Sequence, residues 1–152
     1  MPQHSVFLVR CSLLWFMAGV LLGVAILVER TGGWVGSGIW MLRGSHAWIM
    51  LGGFMIQLAL GVALWILPKS RRRPGPGRTV LLAAASVLNV GVMVVAVAPL
   101  IAGGVGAGFL VGMVRPLGMV LMTAGTGVLV SAVYPRIQSA EAIREGFSRR
   151  QE

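Results

Sequence analysis

Acidic residues are nearly absent from this sequence. It contains no aspartate and four glutamates among 152 residues, whereas 13 lysines and arginines give a net charge of +9. Only 11% of the residues are charged and 57% are hydrophobic. This composition excludes an average soluble domain and indicates an integral membrane protein. The glutamates lie outside the long apolar runs, which argues against a small proton-coupled exporter, because such a protein needs a carboxylate within the membrane.

Side chains that bind metals are also scarce. The only cysteine is Cys11, so one chain forms no intramolecular disulfide and no cysteine-based metal cluster. The only histidines are His4 and His46. A metal site within one chain must therefore depend on very few protein ligands.

Four apolar-dominated segments each have about 20 residues, the length that crosses a hydrocarbon core. They cover about residues 7–28, 46–67, 79–101 and 109–134, and each is expected to be a helix because lipid cannot satisfy the backbone. Pro68, the loop RRRPGPGR, the loop AGGVGAG and Pro135 separate or end them. The sequence thus predicts an all-α, integral membrane four-helix bundle in residues 1–135 and a polar cytoplasmic tail in residues 136–152.

Basic residues predict the orientation of this bundle, because lysine and arginine are retained on the cytoplasmic side. The loop between the first two segments contains only Arg30 and Arg43. Ten basic residues fall on the other side: Arg10, Lys69, Arg71, Arg72, Arg73, Arg78, Arg136, Arg144, Arg149 and Arg150. Both termini are therefore expected to be cytoplasmic, in a multi-pass protein of the cell inner membrane. The basic clusters are expected to contact anionic lipid, and no nucleic acid.

Two ionisable residues enter the apolar segments and are candidates for function. His46 begins the second segment, either as an interfacial residue behind an N-capping Ser45 or as an axial ligand to haem iron. Arg115 lies about 9 Å along the fourth segment. It either reaches the outer headgroups or binds an anionic group. Gln57, three turns beyond His46 on the same predicted face, is expected to hydrogen-bond across helices.

The second segment resembles the second transmembrane helix of the catalytic subunit of haem-copper oxidoreductases, the family of terminal oxidases and nitric oxide reductases. The first segment is similar to that family's first helix, with Gly19 and Gly23 at a spacing that permits close helix contact. In the second segment the matching residues are His46, Met50, Gly53, Phe54, Gly61, Leu67, Pro68 and Lys69.

The resemblance implies that His46 is an axial ligand to the iron of a haem b. Met113 or Met119 is then a candidate sixth ligand; otherwise another subunit supplies that ligand or the position stays open to a gas. Arg43 and Arg115 would pair with the haem propionates, and Trp48 would stack on the macrocycle. The family's catalytic subunit uses further histidines that this chain lacks, so we expect no complete terminal oxidase and no enzymatic activity from the chain alone.

Two functions follow from these residues. The first is a small haem b membrane protein that acts in electron transfer or in haem-based gas or redox sensing. The alternative is a cofactor-free accessory or assembly subunit of a respiratory membrane complex. In either case the many glycines predict smooth helix faces and a homo-oligomer. The expected partners are the lipid bilayer, respiratory-chain subunits or a small gas ligand.

Overall fold

The computed structural model describes residues 2–33, 36–67, 75–104 and 109–148, and these ranges contain helices and no strand. The stretch that contains the second apolar segment is not a uniform α-helix, since 3₁₀, α, π and α geometry follow one another from Ser37 to Ile66. In chain order the elements are α1 (Gln3–Gly32), a 3₁₀ helix (Ser37–Leu42), α2 (Arg43–Trp48), a π-helical segment (Ile49–Ile56), α3 (Gln57–Ile66), α4 (Arg78–Gly104) and α5 (Phe109–Ser148).

Four helical stretches of the described residues are long and apolar enough to cross a membrane, which confirms the predicted all-α fold with four candidate spans. By length and composition, the chain is a multi-pass membrane protein. The spans run over Gln3–Gly32, Gly38–Ile66, Arg78–Ile101 and Gly112–Ile137. The first two begin earlier than predicted, because helical geometry continues into flanking residues that apolar content alone does not identify.

The last helix does not end at Pro135, where the sequence predicted its end. α5 continues through this proline to Ser148. A proline removes one backbone donor and can bend a helix, yet it does not prevent helical residues beyond it. The stretch AEAIRE that follows consists of good helix formers, apart from one isoleucine. The polar residues after the fourth span therefore begin as an extension of the same helix.

The connection after α1 is a sharp turn. Gly33 has the left-handed backbone conformation, with φ +64°, and its N–H donates to the carbonyl oxygen of Glu29 at 3.0 Å. This is a helix-ending geometry that glycine favours. The Glu29 side chain also accepts a hydrogen bond from the N–H of Gly36 at 2.9 Å. Together the two bonds direct the chain back toward the second span.

Glycine allows α4 and α5 to pack backbone against backbone. A Cβ built on Gly91 would lie 2.6 Å from the amide nitrogen of Met122, and one on Gly125 would lie 2.7 Å from the carbonyl oxygen of Ala84. Gly112 and Gly127, by contrast, have open space beside them. Three of the glycines expected to mediate association between chains, Gly91, Gly118 and Gly125, therefore serve contacts within the chain.

The second span lies between α1 and the α4–α5 pair, and its π-helical segment contacts both sides. A Cβ on Gly53 would lie 2.7 Å from the Trp15 ring of α1, while Gly52 faces the Met122 side chain of α5. Two adjacent glycines thus admit one large side chain from each neighbour. A π-helical stretch turns less per residue than an α-helix, so it also changes which residues share a face.

A polar network crosses the interior of the bundle. The side-chain amides of Gln57 and Asn89 exchange two hydrogen bonds of 3.2 Å, and Trp15 Nε1 donates to Asn89 Oδ1 at 2.8 Å. Gln57 is fully buried. The predicted hydrogen bonding across helices is therefore confirmed. The Gln57 side chain reaches α4, whereas the His46 ring bonds α1, and the π-helical segment lies between the two residues.

Candidate functional site

His46 lies within α2 and directs its imidazole toward α1. Its Nδ1 is 2.9 Å from the carbonyl oxygen of Gly19. A carbonyl oxygen only accepts, so Nδ1 carries the proton in this pair when the ring is neutral. Nε2 then bears the lone pair, and it has no hydrogen-bond partner among the residues that the structure describes. An imidazole fixed in this way is prepared to bind a metal through Nε2.

Gly23 gives the imidazole its place on α1. A Cβ built there would lie 2.9 Å from Cε1 and 3.4 Å from Nδ1 of His46. Any larger residue would push the ring away from the Gly19 carbonyl. The predicted close contact at Gly19 and Gly23 is therefore present, and it is made by the side chains of the second span: the His46 ring at Gly23 and Met50 at Gly19.

Ser45 does not cap the helix as predicted. α2 already begins at Arg43, which places Ser45 inside it, and the residue before the helix makes no side-chain capping bond. Ser45 is buried, and its hydroxyl has no hydrogen-bond partner among the described residues. The interpretation of His46 as the residue that follows a capping serine therefore loses its structural basis.

A pocket of about 260 Å³ opens beside the imidazole, and we call it the histidine pocket. Besides the imidazole, two arginines form its polar part: Arg30 from α1 and Arg43 from α2. The Arg43 guanidinium lies 5.4 Å from the centre of the Trp40 ring, within the range of a cation–π contact. The pocket is lined by Gly23, Ile26, Leu27, Arg30, Trp40, Arg43 and His46.

Of the other predicted site residues, only Arg43 shares this pocket with His46. Arg115 lies on another side of α2, where its Nη2 would be 3.6 Å from a Cβ on Gly44. Residues 44 and 46 point about 200° apart around a helix axis, so a side chain beside Gly44 lies on a different side of α2 from the His46 ring. Arg30 and Trp40, which the sequence did not single out, are present instead.

The remaining predicted site residues lie outside the histidine pocket. Trp48, two positions after His46, packs against the apolar core, and so does Met119. Met113 is half exposed on the fourth span. None of the three lines the histidine pocket. His4 is near the other end of α1, about 28 Å from Gly23 along the helix axis.

The described residues contain no group of three or more histidine, cysteine or acidic side chains that would hold a metal ion by themselves. A haem iron requires less of the protein, because the porphyrin supplies four nitrogens and one imidazole supplies an axial bond. The histidine pocket contains one such imidazole. Comparison with protein-family models, with curated proteins and with solved structures gives no match for this chain.

Proposed function

We propose that this protein is a small membrane haem protein in which Nε2 of His46 is an axial ligand to the iron of a haem b. The hydrogen bond from Nδ1 to the Gly19 carbonyl carries the proposal, because it orients the ring and leaves Nε2 as the basic nitrogen. The glycine beneath the ring and the arginines beside it support the same assignment. The resemblance of the first two spans to haem-copper oxidoreductases agrees with it.

The size of the pocket bears on how a haem would be covered. Its volume of about 260 Å³ lies below the range of about 300–1,000 Å³ that is usual for small-molecule sites. A macrocycle bound to His46 therefore needs further cover from lipid or from a second copy of the chain. This favours the homo-oligomer that the sequence predicts.

The orientation follows from the distribution of basic residues. We place both termini in the cytoplasm and the histidine pocket near the outer surface of the inner membrane. His46 and His4 are the only histidines, so the chain does not supply the set that a terminal oxidase needs beside its catalytic haem. The proposed role is therefore electron transfer or the sensing of a gas or redox state, without catalysis by this chain alone.

Gas sensing and electron transfer differ in whether the sixth coordination position of the haem iron is open to a ligand. No methionine or second histidine lines the histidine pocket among the described residues. We therefore expect carbon monoxide to bind the reduced haem and to shift its Soret band, as an open or weakly occupied sixth position would allow. Difference spectra of the reduced protein with and without carbon monoxide measure this. An unchanged spectrum would contradict sensing by direct gas binding and favour electron transfer through a six-coordinate iron.

The alternative is a cofactor-free accessory or assembly subunit of a respiratory membrane complex. One observation favours it: the hydrogen bond between His46 and Gly19 already joins two spans, and a tie between helices is a sufficient structural role for a histidine. The two functions differ in one measurable respect, since only the first requires that the wild-type protein take up haem stoichiometrically.

A further inference from the structure

We infer that Arg30 and Arg43 together bind the two propionate carboxylates of the haem, and that Arg115 takes no part in this. The inference rests on the proposed function, because it names the residues that orient the same ligand. It replaces the predicted pair of Arg43 and Arg115 by a pair that the fold brings into one pocket.

Both arginines lie on the same side of the imidazole. Arg43 is about one helical turn before His46 in the second span, and Arg30 is about two turns beyond Gly23 in the first. Each position lies toward the turn that joins the two spans, which is the end of the pocket nearest to water. Haem carries both carboxylates on one edge. Two guanidinium groups at the water-facing end of the pocket match that edge, while the imidazole lies deeper and is available to the iron.

The pocket has no competing acid in its lining. All seven lining residues are neutral or basic. The carboxylate of Glu29, which is adjacent to Arg30 in sequence, accepts the hydrogen bond from Gly36 that shapes the turn. The Trp40 ring supports the Arg43 guanidinium at 5.4 Å. A guanidinium held against an aromatic face keeps its donors available for a bidentate carboxylate contact.

Membrane topology does not account for these two residues. Ten basic residues lie on the predicted cytoplasmic side, whereas Arg30 and Arg43 are the only ones in the predicted outer loops. Basic residues in a translocated loop oppose the preferred orientation rather than support it. The fold nevertheless brings both arginines into one pocket of about 260 Å³ together with His46. An acidic ligand explains this convergence.

The test compares haem b with its dimethyl ester, in which both carboxylates are blocked. The full-length protein is placed in nanodiscs of zwitterionic lipid, and each ligand is titrated while the Soret band is recorded. We expect Arg30→Gln and Arg43→Gln each to weaken haem binding about tenfold and to leave ester binding within about twofold of the wild type. Arg115→Gln is the matched control and should change neither affinity.

The outcomes separate the two proposals. If the wild type binds haem and its ester equally well through His46, and the arginine variants do the same, the carboxylate assignment is wrong while the haem proposal stands. Equal losses for haem and ester in the arginine variants would also overturn it, because the arginines would then act on the structure of the pocket. If the wild type binds neither ligand, the proposed function itself fails.

Discussion

Replacement of His46 by alanine is expected to abolish haem binding while the protein stays folded in the membrane. Loss of groups that merely orient a metal ligand commonly lowers affinity about 10- to 100-fold, so loss of the ligand should lower it by at least about 100-fold. The fold should tolerate the change, because the imidazole is only partly buried and the spans are held by other contacts. Haem titration, with circular dichroism to record helix content, measures both effects.

The chain offers a matched control for this substitution. His4→Ala removes the other histidine, which lies in the same helix as Gly23 but toward its opposite end, and it should leave haem affinity unchanged. Added imidazole should restore a Soret band to the His46→Ala protein, since the space vacated by the side chain faces the pocket. Full haem occupancy of His46→Ala without added imidazole would contradict the ligand assignment.

Substitution of Gly125 is expected to give the largest loss of stability. Its missing Cβ leaves room for α4, and a built Cβ would lie 2.7 Å from the Ala84 carbonyl oxygen and 2.8 Å from the Leu88 amide nitrogen. Both are backbone atoms, so they move only with the helix. We expect Gly125→Ala to lower the free energy of unfolding by about 1–3 kcal/mol, and Gly125→Leu to lower it further.

Gly127 is the control, two residues further along the same helix. It is exposed and has no neighbour within 4 Å of a built Cβ. Gly127→Ala should therefore be neutral or stabilise the helix by up to about 1 kcal/mol, because glycine is the weaker helix former. Unfolding in mixed micelles of increasing dodecyl sulfate content measures both variants. Equal effects at the two positions would contradict the backbone contact between α4 and α5.

Much of the fold could be predicted from the sequence for a simple physical reason. A hydrocarbon core sets a minimum apolar length, and its lack of hydrogen-bonding partners requires helices. The number and order of the spans follow from these two facts. The ends of helices do not, because backbone hydrogen bonding continues into polar residues, as it does in α5 beyond Pro135.

The candidate site was only partly predictable. His46 was identifiable as a histidine in an apolar segment, and Gly19 and Gly23 as a site of close contact. The π-helical segment between His46 and Gln57 was not, because no simple residue pattern marks it. Two adjacent glycines, Gly52 and Gly53, are the only local hint of it.

The basic residues of the pocket show a second limit of sequence reasoning. The sequence predicts Arg115 as a partner for His46 because both residues belong to the predicted outer half of the membrane. Depth alone does not fix position around the bundle, and Arg115 lies beside Gly44 instead. Arg43 comes to lie in the same pocket as Arg30 because Gly33 and the Glu29 side chain turn the chain back after α1. Both loop arginines were visible in the sequence, but their convergence was not.

The visible absorption spectrum of the protein purified from haem-replete cells tests the central claim most directly. The oxidised protein should show a Soret band, and dithionite should produce the sharp bands of a b-type haem at about one haem per histidine pocket. A colourless protein that also failed to take up added haem would contradict the account, and it would leave His46 as a structural link between the first two spans.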